Sequence, residues 1–361
     1  MLLRRLELRN HRNYAYLNLT PGPGVNVFIG ANGQGKTNLL EAVAMLALSA
    51  SPRARREAEL VGPVSLASRI EAQVESGGSS LELAIALHVD GERARRVIDV
   101  DGVRRRAFDL PGKFRVTLFW PDDLGLVKAG AEQRRRFLNQ MLVQVEPGYA
   151  RALAGLKRVL EQRNSLLKRM AAGEGDGGTL ETWDAEFARV GGEISSARAA
   201  AVLELAPEAA RYHSEIAPGE SLEIVYQGPP EDLAAAVHNS LAEDLRRGTT
   251  SVGPHRDDLR VLLGGQEARA YASQGQQRTA VVSLKLAEAS LLAARTGERP
   301  VLLLDDVLSE LDGARRMALL RQVGGGGQVI ITSVEASPFP ADLISEAKLW
   351  TVEGGKIEPC G

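Results

Sequence analysis

The octapeptide GANGQGKT, residues 30–37, follows the apolar run VNVFI and precedes TNLLEAVAMLALS. Its spacing is GxxxxGK[ST], and a strand before it with a helix after it is the setting in which that spacing forms a phosphate-binding loop. The chemistry selects the residue types. Glycines let backbone N–H groups close on phosphate oxygens, a lysine reaches the β and γ oxygens, and the next hydroxyl ligates Mg²⁺. On that reading Gly30, Ala31, Asn32, Gly33, Gln34, Gly35, Lys36, Thr37 and Asn38 surround a nucleotide, and the positive end of the following helix points at the same anion. The fold class this implies is α/β.

Two more segments belong to the same chemistry. In VLLLDD, residues 301–306, four apolar residues run into two carboxylates, so that Asp305 sits at a strand end to hold Mg²⁺ and Asp306 stands beside an attacking water. In YASQGQQRTAV, residues 271–281, Ser273 and Gly275 stand at the start of a long helix whose Val281, Leu284, Ala287 and Leu291 recur on one face. A helix start with a hydroxyl and a glycine is a second anion-binding feature. The first loop already cradles the phosphates from one side, so this second feature is expected to serve a nucleotide held by another copy of the chain.

Residues 1–9 and 25–29 read as strands, and residues 64–119 as short alternating strands with a hairpin turn at Asp101-Gly102. From about Ala131 to Tyr212 the apolar period is helical, broken once by AAGEGDGG, which predicts two antiparallel helices joined by a flexible loop. VLLLDD and QVIITS read as buried parallel strands. The expected organisation is a nucleotide domain that begins in 1–119, is interrupted by a helical insertion at 120–215, and is completed by 216–361.

The 361 residues carry 44 Lys and Arg against 46 Asp and Glu, a net charge of −2, so affinity for nucleic acid has to come from local patches. Candidates are Arg53, Arg55 and Arg56 behind the loop helix, and Arg134 and Arg135, which with Arg136 form either a DNA contact or a solvated helix face. Arg104 to Arg106, after the hairpin turn, fit equally a DNA contact or a strand edge protected by charge. Arg12 and Asn13 either approach the nucleotide base or end a surface strand, and His255, Arg256 and Asp257 follow a Gly-Pro turn with either a structural or a functional part. The lone Cys360 forms no intrachain disulfide and suits a reducing cytosol, and no apolar run reaches membrane-spanning length, so the expectation is a soluble cytoplasmic protein. The five histidines lack metal-ligand spacing, which leaves nucleotide-borne Mg²⁺ as the expected metal.

LRNHRNY near the start, WPDDLGLVKAGAEQRRRFL at 120–138, SVGPHRDDL at 251–259, YASQGQQR and LLLDDVLSELD together resemble the ATP-binding-cassette superfamily and, within it, the RecF family of bacterial recombination mediators. The resemblance implies an ABC-type P-loop ATPase head, a parallel sheet plus an antiparallel β subdomain, with an inserted α-helical arm. It implies ATP and Mg²⁺ as cofactors, Lys36 and Asp306 as catalytic residues, and Thr37 and Asp305 on the metal. Ser273, Gly275 and Gln276 would reach the γ-phosphate across an ATP-dependent head-to-tail homodimer, with Ser273, Ser309 and Asp312 at the interface. Implied partners are duplex DNA beside single-stranded gaps and RecO- and RecR-type mediator proteins, with no membrane. Two departures from the superfamily pattern, Asp306 where a glutamate is usual and Thr332-Ser333 where a histidine is usual, imply slow hydrolysis. Alternative readings are an ATP-gated DNA scaffold without functional hydrolysis, a short-armed chromosome-organising ATPase, or a transporter-coupled ATPase subunit, against which the helical insertion argues.

Overall fold

Runs such as VNVFI and VLLLD offer apolar side chains to both faces of a strand, so they need a covering layer on each side. A computed structural model of the chain, describing residues 1–360 except 92, 175–176, 324–325, 336–338 and 340, places them at the centre of a layered head. The strands Lys348–Glu353, Val25–Ile29, Val329–Ser333, Val301–Asp305 and Val116–Phe119 lie side by side in parallel, in that order, with Lys356–Pro359 antiparallel on one edge. Alternation then divides their side chains. Phe28, Leu303 and Ile330 enter one core, and Val27, Leu304 and Ile331 enter another on the opposite face.

The first core lies under the helix Lys36–Leu48, in which every residue from Leu39 to Ala47 is buried. A helix that is apolar on all sides needs walls on all sides. Its second wall is a six-stranded antiparallel sheet in the order Tyr14–Leu19, Leu2–His11, Ala67–Ser76, Ser79–Asp90, Arg93–Val100, Val103–Arg105, which contributes Leu6, Leu8, Ile70, Ile85 and Ile98. Asp101 and Gly102, at φ 51° and 72°, form the predicted two-residue turn between the last two strands.

The second core lies under the helix Gln274–Thr296, whose Val281, Leu284, Ala287 and Leu291 are all buried as their spacing predicts. The same cluster continues into the helices Ala131–Leu142, Tyr149–Ala171 and Gly177–Ile216. The last two run antiparallel: Tyr149 meets Arg198, the Gly155 position lies against Val190, and Arg163 meets Asp184. Gly175 and Asp176, in the break read as a flexible loop, lie outside the described residues. A small sheet of Leu222–Gln227, Asp258–Leu263 and Gln266–Glu267 packs on the arm, and its short strands gave no clear periodic signal. Arm and head therefore share apolar core, which a reading of the segment as a separate insertion does not anticipate. Among the described residues no helix is long and apolar enough to cross a membrane.

Burial also sets an acid limit on stability. His11 is fully buried near Ser68, and its pKa is pushed down to about 4, chiefly by desolvation, with the Arg12 and Arg53 charges adding and Glu41 opposing. Between that value and the ordinary value near 6.5 the unfolded chain binds the proton and the folded chain does not, so the contribution is complete above about pH 6.5 and is lost as pH falls towards 4. His213 and His255 are also held down by burial. Urea unfolding at pH 7 and pH 5 is expected to show a clear loss of stability on acidification. In His11→Gln that loss shrinks by an amount on the order of 1–2 kcal/mol; an identical pH dependence in wild type and variant would contradict this account.

Candidate functional site

The parallel strands end in register, Ile29 beside Ser333 and Asp305 beside Thr332, so the loops that leave them meet at one carboxyl edge. That edge is where open α/β sheets place ligands. The Gly30 amide donates to the Ser333 carbonyl at 3.2 Å and starts the loop. Lys36, buried, turns its ammonium back onto the carbonyls of Gly30 at 2.5 Å and Ala31 at 2.9 Å. Burial lowers its pKa, and the charges of Asp306 and Asp305 oppose that shift. Two glycines are required by space, and Gly35 by its backbone as well. A Cβ at Gly30 would stand 2.2 Å from the Val352 carbonyl oxygen, and Gly35, at φ 116°, would drive one to 2.5 Å from the Asn13 amide.

Asp305 is the centre of the site. Thr37, at the start of the loop helix, donates its hydroxyl to the Asp305 carboxylate at 2.9 and 3.1 Å, and Thr332 from the neighbouring strand donates at 2.8 Å. Burial pushes the Asp305 pKa up, and the Thr332 and Thr37 hydrogen bonds only partly counter it. A dry carboxylate and a hydroxyl turned towards each other beside a phosphate loop are a donor set suited to a hard divalent cation, which takes oxygen ligands. Asp306 follows in the left-handed region at φ 51°, its amide held by the Thr332 hydroxyl at 3.1 Å and carbonyl at 3.3 Å. Thr332 therefore anchors both carboxylate residues, a part that its position in an apolar run did not disclose. The Ser309 hydroxyl closes the following turn on the Asp306 carbonyl at 2.7 Å.

The hairpin turn at Arg12 and Asn13 braces this loop. The Asn13 amide donates to the Gln34 carbonyl at 2.9 Å and its oxygen accepts from Asn38 at 2.8 Å, while Gln34 takes the amides of Gly354 and Gly355 on its other side. Arg12 is bidentate on Glu41, at 2.8 and 2.9 Å, so its guanidinium is spent inside the head. Glu41 is fully buried; burial raises its pKa, but hydrogen bonds from Arg12 and Ser51 and the charges of Arg12 and Arg53 bring it below the usual range. Nothing in the spacing of the loop helix marks Glu41 as an acceptor for two arginines.

The basic candidates separate sharply. Arg134, read as either a DNA contact or part of a solvated helix face, is instead buried, with its guanidinium on Asp258 at 2.6 and 2.9 Å and on the Leu126 and Ala129 carbonyls. Arg135 is half-buried and donates to the Asp257 carbonyl at 2.7 Å. Their helix packs on the small sheet, so Arg134 and Arg135 are turned inward by tertiary contact while Arg136 stays exposed. Asp257 in turn receives Arg198 at 2.9 Å and the Tyr226 hydroxyl, so the GPHRDD segment is a polar joint between arm and sheet. Arg53 binds Asn38 at 2.6 Å and Glu41 at 3.1 Å and lies over the Trp120 ring. Arg55 and Arg56 are exposed, Arg56 with a 3.6 Å pair to Glu59.

Ser273 caps its helix in a reciprocal box, accepting the Gln276 amide at 3.3 Å while its own amide donates to the Gln276 side chain at 2.9 Å. A Cβ on Gly275 would lie 3.2 Å from Arg315, which is paired with Asp312 at 2.5 Å. Among the described residues these bonds are local, and none reaches residues 30–37. One chain thus brings together Gly30 to Asn38, Asp305, Asp306 and Thr332, with Ser309 on the Asp306 turn, and leaves Ser273, Gly275 and Gln276, with Asp312 beside them through Arg315, as a distinct group.

A parallel sheet tipped by this loop, walled by an antiparallel lobe and joined to a helical arm, is the ABC-type ATPase head. Residues 2–344 match the RecF/RecN/SMC N terminal domain family. The DNA replication and repair protein RecF of Moorella thermoacetica is 38% identical over 357 residues, 98% of this chain and 95% of that protein. That of Synechococcus sp. (strain JA-2-3B'a(2-13)) is 39% identical over 375 residues, 99% and 98% of the two chains. Among solved structures, the recombination mediator protein RecF-ATP in the RecFOR pathway superposes with a TM-score of 0.91 at 32% identity, covering 99% of this chain and 97% of that one. An Smc head bound to the C-winged helix domain of ScpA shares the fold at a TM-score of 0.58 and 14% identity. The chain belongs to the RecF family.

Because Arg134 is committed to Asp258, Arg134→Ala is expected to lower stability by about 2 kcal/mol or more, since it removes a buried guanidinium from a half-buried carboxylate. Arg55→Ala and Arg56→Ala should stay within about 0.5 kcal/mol. Equilibrium urea denaturation of the three variants decides whether Arg134 is structural.

Proposed function

We propose that this chain is an ATP-dependent DNA-binding protein of recombinational repair, which pairs head to tail on ATP, holds duplex DNA beside single-stranded gaps, and helps RecO- and RecR-type proteins load a recombinase in the cytoplasm. The observation that carries the proposal is the separation just described: a complete phosphate and carboxylate cluster on one surface, and a capped, exposed helix start elsewhere whose bonds are local. Bound ATP·Mg²⁺ supplies the phosphates that tie two such surfaces together. Gly30 to Asn38 bind and orient the phosphates, Lys36 leaves its two carbonyls for their oxygens, and Thr37 and Asp305 hold the metal. Ser273, Gly275 and Gln276 of a second copy then face the same phosphates, with Ser309 and Asp312 beside them.

On this reading Asp306 orients a water and accepts its proton. Its side chain is one carbon shorter than glutamate, and Thr332, where the wider superfamily has a histidine nearby, is occupied with the two carboxylate residues. Hydrolysis on the order of one turnover per minute or less is expected, against roughly 10 per second for a median enzyme. ATP on this reading times a clamp, and the partners and DNA structures named above rest on relatedness to RecF.

Sedimentation with and without ATP·Mg²⁺ tests the dimer. Wild type should become dimeric, while Lys36→Met and Ser273→Arg stay monomeric; a Ser273→Arg protein that dimerises normally removes the trans role of that helix start. Asp306→Asn separates a timer from a pure scaffold. Its ATP-dependent DNA complexes should outlive those of wild type by about tenfold or more if hydrolysis releases DNA, and unchanged lifetimes would establish the scaffold reading instead.

A further inference from the structure

The proposed function needs a surface for a polyanion, and most arginines of this chain are unavailable for it. Arg134 and Arg135 are turned inward, and Arg53 is held by Asn38 and Glu41. On the solvent side Arg4 pairs with Glu75, Arg69 with Glu71, Arg189 with Glu186 and Glu193, and Arg211 with Glu208 and Glu215, at 2.5 to 2.7 Å. Arg55 stands exposed with no ion pair among the described residues, but one region gathers several such cations. Arg104, Arg105, Arg106 and Lys113 are exposed, Arg151 is 70% exposed, and among the described residues the only ion pair these five side chains make is Arg151 with Asp109, at 3.9 Å.

Four of the five adjoin, while Arg104, opposite Asp99 on the neighbouring strand, projects from the other face of the sheet. Arg105 and Lys113 line one open trough of about 460 Å³ at the edge of the antiparallel sheet. Arg106 and Arg151 both lie over the Phe108 ring, at 5.3 and 5.0 Å, which joins that edge to the first turn of the arm helix Tyr149–Ala171. Three carboxylates are near. Asp99 stands opposite Arg104 in register, Asp101 accepts the Glu82 amide at 2.8 Å, and Asp109 accepts the Arg106 amide at 3.2 Å, so two of the three are partly spent on backbone. The patch remains positive. Protection of an edge strand accounts for cations on Val103–Arg105 but not for Arg106, Lys113 and Arg151, which lie off the strand.

We infer that this surface, from the edge strand across Phe108 to the base of the arm, is where the sugar-phosphate backbone of duplex DNA docks, an inference that rests on the function proposed above. Its groups are guanidinium and ammonium ends on flexible stems, which suit phosphates, and phosphate contacts carry no sequence information. Contact here is sequence-independent and salt-sensitive. It also places DNA against head and arm at once, so duplex bound to one would constrain the other.

The test is fluorescence anisotropy with a labelled duplex, using the full chain with ATP and Mg²⁺ over a salt series. The triple variant Arg105→Gln, Lys113→Gln, Arg151→Gln is expected to raise Kd at least about tenfold and to flatten the slope of log K against log salt by about 2 to 3. A variant with Arg105→Lys and Arg151→Lys should keep the wild-type slope. The control Arg189→Gln, Arg246→Gln, which removes two acid-paired arginines elsewhere on the chain, should change neither quantity. ATP-driven sedimentation equal to wild type certifies that the triple variant is folded. Wild-type Kd and slope in a folded triple variant, or equal losses in the control, overturn the inference while leaving the function standing. A wild-type protein that binds no duplex at any salt overturns both.

Discussion

Asp305 is a carboxylate taken out of water at the end of a central strand, and it is held by hydroxyls from two other elements, Thr37 and Thr332. Leaving a charged group buried is costly unless it is paired. That cost makes the register of the sheet consequential. A slip of one residue between Val301–Asp305 and Val329–Ser333 would turn Thr332 to the other face and leave the carboxylate with one partner. The same register sets Ile29 beside Ser333, and so fixes where the phosphate loop leaves the sheet.

Around that point the loop is held by its neighbours more than by itself. Asn13, from a hairpin turn of the other sheet, and Gly354 and Gly355, from the last hairpin of the chain, converge on Gln34. Gly30 and Gly35 admit these neighbours because neither has a Cβ. Three segments far apart in sequence thus meet at one turn, so the loop is formed only when the whole head is. Its geometry is a tertiary property written with local residues.

The arm is joined to the head by ion pairs set in apolar surroundings. Arg163 lies between Asp184 and Asp244, each at 2.7 Å, and Arg198 binds Asp257 while Arg134 binds Asp258. Lys285 of the Gln274–Thr296 helix pairs with Glu288 in the same interior, over the Phe137 ring. Buried pairs of this kind add little net stability compared with a packed apolar core, but breaking one leaves a charge stranded. They therefore specify how the arm helices seat, and they consume arginines that composition alone would assign to the surface.

What this chain's residues determine by themselves is whatever depends on local order: the strand, loop and helix around GANGQGKT, the carboxylates at the end of VLLLDD, the serine-capped helix start, the Asp101-Gly102 turn and the antiparallel arm helices. Each follows from backbone geometry and apolar period over a few neighbouring residues. The direction taken by a charge does not. Arg55 and Arg134 look alike in sequence, yet one meets solvent and the other meets Asp258, 124 positions away. Glu41 as a double acceptor, Thr332 as an anchor, and the gathering of Arg105, Lys113 and Arg151 on one surface likewise require strands and helices to be placed in three dimensions. Electrostatic environment is set by all the atoms around a group, and most of those atoms come from distant parts of the chain.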